Sequence, residues 1–408
     1  MKKICLVLGI LSTLHGGSLF AQDEQKDEEK ALTVELSGEI DGSLRNYSGD
    51  RFDYTDKSSA IAQIPCFDVW LEYQLAPKWL LTGEAEFISG AGIQVDEISL
   101  TREINPMFNI KGGLLQLPIG HCNSGYAYTD HFTIGDPEGE YAMLPCPMAE
   151  LGLALSGEFD FGLDYQLSLT TGMNGLGASP YSWMQEAVQG FWDDNANFTS
   201  PAYSLKLGYT GIEGLTLNVG IYHADNIARN NSYFTAYQDF CSDNGMEYKK
   251  VPTTIWFADG EYAHDYFTIR ASYLQGHLGG TTPYSAFLNT IADDEELDCA
   301  DGLSLSKEVI SYMGEVGLNL KNCFYPETKG PNLIPFAHYE FYNSQHKTEG
   351  EAIPGSKVNM WSFGCNWKPN DDLTIKLNYT TRKIDGGSKD GMPHMNEVNI
   401  GVAYDIEL

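Results

Sequence analysis

The residues that could do chemistry in this sequence are concentrated in one segment, residues 119–148. Carboxylates are interspersed there with phenol rings and an imidazole, at Tyr126, Tyr128, Asp130, His131, Asp136, Glu138, Glu140 and Tyr141. Carboxylates held in a narrow passage attract cations and repel anions. The same composition also suits a solvated surface loop. The segment therefore predicts electrostatic selection of small ions, with a plain acidic loop as the alternative.

Bond-making chemistry has less support. Nine histidines are present, among them His121, His131, His223 and His338, but none stands in a recognisable nucleophile or metal-binding motif. His338 and Glu340 are two residues apart, which places both on one face of a strand and predicts polar pairing. We therefore expect no enzyme activity, no cofactor and no metal site.

Two cysteines lie within or beside the acidic segment. The chain has eight cysteines, and an odd number remains if Cys5 is removed with a leader, so they cannot all pair within one molecule. Cys122 and Cys146 could form a disulfide in an oxidising compartment. The alternative is that they remain small apolar side chains.

The elements that must position this segment are β-strands. Apolar and polar residues alternate from Val398 to Leu408, and successive side chains of a strand point to opposite faces. Similar alternation predicts sixteen strands along the chain. The predicted runs cover residues 32–44, 67–75, 79–89, 98–104, 108–117, 151–159, 163–169, 203–209, 215–221, 255–262, 267–274, 310–320, 334–342, 359–367, 373–379 and 398–408.

The connections between these runs are alternately long and short. The long ones include residues 47–64, 119–148, 175–201, 225–252 and 276–306. The short ones include residues 76–78, 105–106, 160–161, 212–214, 264–265 and 369–372, and only residues 321–332 are longer than the pattern requires. Short periplasmic turns opposite long external loops are typical of a transmembrane antiparallel β-barrel, whereas a soluble sandwich has no reason to show them.

The start of the chain agrees with an exported protein. Residues 1–21 combine Lys2 and Lys3 with a short apolar run and a small-residue end, which predicts a signal peptide. Residues 22–31 are predicted to be a charged periplasmic leader, and residues 32–408 a single barrel domain. No later run reaches the ~20 apolar residues of a membrane helix, so a closed barrel is the form that would satisfy every backbone group in lipid. We expect it in the outer membrane of a Gram-negative bacterium.

The composition is strongly acidic. The formal net charge is −31, and removal of Lys2 and Lys3 with the leader moves it to about −33. Nucleic acid is excluded as a partner, because its phosphates would be repelled. A general anion channel is also disfavoured.

Several segments resemble the phosphate-selective porin O/P family of sixteen-stranded outer-membrane channels. They are KGGLLQLPIG at 111–120, AELGL at 149–153, IPFAHYEFYNS at 334–344, WSFGCNWKPNDDLTIKLNY at 361–379 and the terminal strand. The resemblance implies a passive channel whose third external loop folds inward, and by analogy a homotrimer.

The sequence departs from that family in its basic residues. Phosphate selectivity in the family implies arginines and lysines along the pore, which hold the anion by charge-assisted hydrogen bonds. This chain has six arginines, and neither lysine nor arginine occurs between Lys111 and Lys206. We therefore expect this chain to have the fold of that family but not its phosphate-binding site.

The phase of the strands assigns charged side chains to the inner wall. The assigned residues are Glu35, Glu72, Glu84, Glu86, Glu150, Glu158, Asp164, Lys206, Arg270, His338, Glu340, Lys376 and Arg382. If the acids of residues 119–148 faced Lys376 and Arg382 across water, a transverse field would orient polar solutes. The alternative places these charges near the rims, away from any constriction.

These observations together predict a porin for passive diffusion of small hydrophilic solutes or ions, without phosphate specificity. Its expected partners are outer-membrane lipid, lipopolysaccharide and the diffusing solutes. A barrel scaffold for surface binding or adhesion remains an alternative. An outer-membrane hydrolase would need a Ser/His or Asp/His constellation, for which no motif was found.

Overall fold

The structure is a computed structural model that describes residues 32–48, 58–88, 92–124, 127–135, 137–187, 197–295, 304–326, 330–385 and 394–408. The predicted signal peptide and charged leader lie outside these residues.

Sixteen strands form one closed antiparallel barrel, in which each strand pairs with its neighbours in the chain and β1 pairs with β16. The predicted fold class is thereby confirmed, and so is closure of the barrel by the terminal strand. The strands are β1 (Leu32–Ser48), β2 (Ser58–Ala76), β3 (Trp79–Ile88), β4 (Gly92–Asn105), β5 (Phe108–Gln116), β6 (Ala149–Glu158), β7 (Leu163–Thr170), β8 (Ala202–Ile212), β9 (Leu215–Ala224), β10 (Thr253–His264), β11 (Phe267–Leu278), β12 (Glu308–Leu318), β13 (Asn332–Lys347), β14 (Lys357–Lys368), β15 (Leu373–Ile384) and β16 (His394–Glu407).

Short helices lie in the connections. They are α1 (Glu138–Tyr141), α2 (Phe234–Asp243), α3 (Thr281–Glu295) and α4 (Leu320–Phe324), with 3₁₀ turns at Gly175–Gly177 and Ile227–Arg229. In the part of the chain that the structure describes, none of the helices is long and apolar enough to cross a membrane.

Side-chain alternation explains which face of each strand points outward. On β16, Val398 and Ile400 are 43% and 58% exposed, whereas Glu397 and Ala403, at inward-facing positions of the same strand, are buried. The other strands repeat this arrangement, so the outer surface is a band of exposed aliphatic and aromatic residues. Such a band is typical of a barrel that faces lipid.

Strands β1, β2 and β4 are longer than the alternation of apolar residues predicted. β1 continues to Ser48 and β2 begins at Ser58, although residues 47–64 were predicted to be a long loop, and β4 begins at Gly92 instead of near Ile98. The prediction was wrong there because strand pairing needs only backbone donors and acceptors. The alternation of apolar residues marks the central part of a strand and not its polar ends.

Four long connections meet at one end of the barrel, the loop end. They are loop 3 (117–148), loop 4 (171–201), loop 5 (225–252) and loop 6 (279–307). Apolar residues from these loops and from the inner faces of the adjoining strands form one buried cluster, the loop core. Its members include Met143, Met173, Trp183, Tyr222, Val251, Ile255, Tyr284, Phe287 and Val309.

Candidate functional site

Loop 3 lies inside the barrel. Lys376 on β15 donates from Nζ to the carbonyl oxygen of Thr133, 2.8 Å away. Asn366 on β14 donates from Nδ2 to the carbonyl oxygen of Phe132 at 3.1 Å. Because both donors are inward-facing strand residues, these bonds hold loop 3 against the inner wall.

The lowest part of loop 3 approaches the turn end of the barrel. Thr374, the second residue of β15, donates to the carbonyl oxygen of Thr129 at 3.3 Å. Arg270 on β11 donates from Nη1 to the carbonyl oxygen of Asp130 at 2.8 Å. Loop 3 therefore descends along most of the depth of the wall formed by β11 to β15.

A buried ion pair fixes the middle of loop 3. Lys376 Nζ is 2.9 Å from Glu39 Oε1, and both side chains are fully buried. The second oxygen of Glu39 accepts from the backbone N–H of Gly135 at 2.8 Å. The pair thus binds two points of the loop, at Thr133 and Gly135, to strands on either side of β16.

A second cluster fixes the start of α1. Arg382 Nε is 2.6 Å from Glu138, and Arg382 Nη1 is 2.7 Å from Glu397. The hydroxyl of Tyr342 donates to the same Glu138 carboxylate at 2.8 Å. Glu340 accepts from the backbone N–H groups of Glu138 and Gly139. Charge-assisted bonds of this kind are the stronger ones, so this end of the loop is firmly attached to β13 and β15.

The charges on β11 to β13 form a connected network. His338 lies between Glu315 and Glu340, with Nδ1 3.0 Å from the former and Nε2 3.4 Å from the latter. Arg270 bonds Glu315 at 2.8 Å and also contacts Glu261. The predicted pairing of His338 with Glu340 is therefore present within a larger buried cluster.

The ring of Phe132 packs against Arg270 of this network and against Phe336. It stacks on Phe336 at 5.6 Å between centroids, and Arg270 Cζ lies 4.8 Å from its centroid. Gly317 makes room for the ring, since a Cβ there would lie 2.3 Å from Phe132 Cζ.

The two ends of loop 3 are joined at its base. Cys122 and Cys146 form a disulfide with Cα atoms 6.3 Å apart. Asn123 adds to this join, because its Nδ2 donates to the carbonyls of Ile119 and Pro145 and its Oδ1 accepts from Met148 N at 2.6 Å.

Two of the residues predicted in the constriction loop, His131 and Glu140, are buried. Glu140 is 1% exposed and accepts from the backbone N–H of Cys122 at 3.1 Å. Burial raises the pKa of Glu140 to about 8. His131 is also buried, with its ring 6.0 Å from that of His121, and burial lowers its pKa well below the usual value. Both side chains are enclosed by protein, so neither is placed to line a water-filled constriction.

The remaining predicted loop residues are placed differently. Tyr128 is half-buried and donates to Glu86 Oε1 at 3.4 Å. Asp130 is exposed and lies 3.7 Å from Lys368 Nζ, and Tyr141 is exposed. Tyr126 and Asp136 lie outside the described residues.

The predicted wall residues point inward, but several are covered. Glu150 is buried among Thr170, Tyr222 and Gly172, and the Tyr222 hydroxyl donates to it at 2.7 Å. Lys206 forms an ion pair with Asp164 at 3.2 Å. The carboxylate of Glu150 also accepts from the backbone N–H of Gly172 in loop 4, and these contacts separate it from water.

The inner face of β1 to β4 is a surface of carboxylates, here named the acidic wall. Its members are Glu35, Asp68, Glu72, Glu84, Glu86, Asp96, Glu97 and Glu103. Glu35, Asp68, Glu84 and Glu86 are half-buried, and Lys111 on β5 forms an ion pair with Glu97. Strand phase identified several of these residues, but it missed the adjacent pair Asp96 and Glu97, which both point inward.

The loop core occupies the opposite side of the interior. Trp183 is fully buried, packs on Gly276 and donates from Nε1 to the carbonyl of Ser306 at 3.3 Å. Met184 N donates to the carbonyl of Met143 at 3.1 Å, which joins loop 4 to loop 3. The polar, partly solvated inner surface is thus concentrated on β1 to β4.

The charges that were expected to create a transverse field across the pore are in direct contact with each other. Glu138 contacts Arg382 directly, and Lys376 contacts Glu39. Charges in contact cancel as ion pairs and do not face each other across water. The hypothesis of a field between the loop acids and these two basic residues is therefore wrong.

Comparison with known proteins identifies the kind of barrel. An anion-selective porin from Comamonas acidovorans superposes with a TM-score of 0.55 at 8% identity, over 93% of this chain and 100% of that one. OprB of Pseudomonas putida gives 0.52 at 10% identity, over 93% and 95%. OmpF of Salmonella typhi, in complex with daunomycin, gives 0.52 at 11% identity, over 91% and 97%. The barrel has the fold of outer-membrane porins.

Sequence comparison adds little beyond this porin fold. No family model matches the chain. An uncharacterized protein of Aquifex aeolicus (strain VF5) is 20% identical over 300 residues, which are 70% of this chain and 61% of that protein. The chain thus spans less than two thirds of the length of this relative. The resemblance to the phosphate-selective O/P family stays at the level of the shared porin architecture.

Proposed function

We propose that the chain is an outer-membrane porin of a Gram-negative bacterium, through which small cations and small hydrophilic solutes diffuse passively. The observation that carries the proposal is loop 3, which is bound inside a closed sixteen-stranded barrel by the ion pair of Lys376 with Glu39. We expect a loop held in this way to narrow a water-filled passage beside the acidic wall.

The acidic wall supports a preference for cations. The eight carboxylates of the acidic wall lie on β1 to β4, and Lys111 on the neighbouring strand is paired with one of them. A wall of one charge sign raises the local concentration of counter-ions and lowers that of co-ions. Potassium ions are therefore expected to pass more readily than chloride.

The pairing of the inward-facing basic residues supports the proposal that the channel does not bind phosphate. The inward-facing cations Lys111, Lys206, Arg270, Lys376 and Arg382 each have a carboxylate partner. A phosphate would have to displace these partners, and separating a buried ion pair leaves an uncompensated charge.

Planar-bilayer recording of the purified, refolded protein tests the proposal. In a gradient of potassium chloride we expect an open channel whose reversal potential has the sign of cation selectivity. Added phosphate should leave the current unchanged. Anion selectivity with block by phosphate would refute the cation preference, and a folded barrel without conductance would refute the channel.

The same proposal includes the partners of the barrel: membrane lipid, lipopolysaccharide and further copies of the chain. The outer band of exposed apolar residues suits contact with outer-membrane lipid, and the loop end would face lipopolysaccharide. A homotrimer is the expected assembly from the family resemblance, which native electrophoresis of the refolded protein tests.

A further inference from the structure

We propose that Asp68, Glu86 and Asp96 on the acidic wall form a binding site for a divalent cation, and that Ca²⁺ is the preferred ion. Each residue offers one carboxylate oxygen, and these oxygens all lie within 4.8 Å of one another. Such spacing suits three ligands around a single ion, since Ca²⁺ binds oxygens at about 2.3–2.6 Å. The sequence predicted no metal site.

The strand geometry brings the three carboxylates together. Asp68 and Glu86 are direct partners in the register of β2 and β3. The register of β3 with β4 shifts between Glu84 and Ala85, so that Glu84 pairs with Glu97 and Ala85 pairs with Val95. Asp96 is the extra residue of this β-bulge. A bulge re-aims a side chain that regular alternation would send to the other face.

One oxygen of Asp96 lacks the partner that a bound cation would supply. Asp96 is 3% exposed, and its Oδ1 has no hydrogen-bond partner among the described residues. Gln94 interacts with this carboxylate but leaves Oδ1 without a donor. A buried carboxylate oxygen that lacks a partner is costly in free energy. A cation between the three carboxylates would remove that cost.

The chemistry of the three carboxylate ligands favours a hard divalent cation. All three groups are carboxylates, and hard cations such as Ca²⁺ and Mg²⁺ prefer oxygen ligands. Asp68 and Glu86 are half-buried, which leaves one side of the site open to water ligands. Mg²⁺ requires a near-ideal octahedron and loses water reluctantly, whereas Ca²⁺ accepts irregular sets of six to eight oxygens.

The site is adjacent to loop 3. The hydroxyl of Tyr128 donates to Glu86 Oε1 at 3.4 Å. A cation bound by Glu86 would therefore lie between the acidic wall and the loop. Calcium binding would neutralise part of the wall at the place where the loop approaches it.

Isothermal titration of the full-length refolded barrel with CaCl₂ tests the site. We expect one saturable site per chain, weakened about tenfold or more by D96N, because Ca²⁺ affinity depends on ligand charge. Glu86→Gln provides a second ligand variant in case D96N does not refold, as judged by far-ultraviolet circular dichroism. The control E103Q removes one charge from the same strand and wall, and it should bind Ca²⁺ within about twofold of the parent protein.

Three results would overturn the proposal. They are titration without saturation, parent-like affinity in both ligand variants, and an equal loss in E103Q, which would indicate diffuse attraction by the wall. Affinity for MgCl₂ equal to that for CaCl₂ would overturn the preference for Ca²⁺. Calorimetry needs no open channel, so this proposal and the proposed function can fail independently.

Discussion

Lys376 on β15 and Glu39 on β1 form an ion pair that passes over the inner face of β16. Between them lies Gly401, which pairs with Lys376 in the sheet register and leaves space for the side chain of Ile134. The pair therefore connects three elements at once: the two strands that flank the closing strand, and loop 3 at Thr133 and Gly135.

Removing one member of this pair should destabilise the barrel strongly. K376M or E39Q leaves a buried charge without its partner, and we expect a loss of about 3–5 kcal/mol in the free energy of unfolding. The double variant should recover part of that loss. Urea denaturation in detergent measures the effect, and the control K357M, which breaks a half-exposed pair with Asp385, should cost less than about 1 kcal/mol. Equal small effects in all variants would contradict this role.

Arg382 should control how firmly α1 is held. R382Q removes the ion pairs with Glu138 and Glu397, and each hydrogen bond to a charged group contributes about 1.5–3 kcal/mol. We expect higher single-channel conductance and more open-channel noise as this part of loop 3 loosens. Single-channel recording checks it, with K206Q as the control that removes an inward-facing positive charge paired on β7. A conductance identical to that of the parent would indicate that loop 3 is held by its other contacts alone.

Neutralising the acidic wall should reduce cation selectivity. In the triple variant E35Q/E72Q/E84Q, fewer fixed charges attract counter-ions, so the reversal potential in a potassium chloride gradient should move toward zero. The triple variant E213Q/E247Q/E351Q removes as many exposed charges away from the wall and should behave like the parent. If both variants shift the potential equally, net charge and not the wall determines selectivity.

The disulfide should stabilise loop 3 at its base. Cys122 and Cys146 are 24 positions apart in the sequence, and a closed loop of this length corresponds to about 3.5 kcal/mol of unfolding free energy. C122S/C146S should expose loop 3 to limited proteolysis and increase open-channel noise. Dithiothreitol should reproduce both effects in the parent protein and have no effect on the double variant. C323S, which removes an exposed free cysteine, is the control.

Stability should fall as the pH rises from about 4.5 to about 8 because of Glu140. Burial raises the pKa of this carboxyl from its ordinary 4.5 to about 8, so the folded protein holds the proton more tightly than the unfolded chain does. Its contribution to stability is therefore fully present below pH 4.5, falls progressively above it and is lost once the pH has risen through 8. The E140Q variant carries a side chain that is neutral at every pH. Between pH 6 and pH 9, the denaturation temperature of E140Q should therefore fall less than that of the parent protein. The control E213Q should behave like the parent. An unchanged pH dependence in E140Q would contradict the assignment.

The sequence was sufficient for the barrel because one physical rule governs every strand. Alternation of apolar and polar residues, as from Val398 to Leu408, fixes both the strand and the face that points outward. The sixteen strands and the pairing of β16 with β1 followed from that rule. The inward positions of Lys206, Arg270 and Lys376 on their strands also agree with it.

The details of the candidate site could not be predicted in the same way. Alternation assigns Asp96 and Glu97 to opposite faces, and only the bulge in the sheet brings both inward. The burial of Glu140 depends on the path of loop 3, which is set by contacts with residues more than a hundred positions away, such as Glu340. Nothing in the local sequence distinguishes Glu140 from a solvated acid.

The loop core has a consequence for how the surface of this protein can vary. Loops 3 to 6 share one apolar interior, so a replacement at Trp183 or Leu288 disturbs all four loops, and compensating changes must arise in several of them together. Gly350, between β13 and β14, is exposed and has no atom within 4 Å of its Cβ position. An insertion at Gly350 should therefore disturb fewer contacts than an insertion into any of the four joined loops.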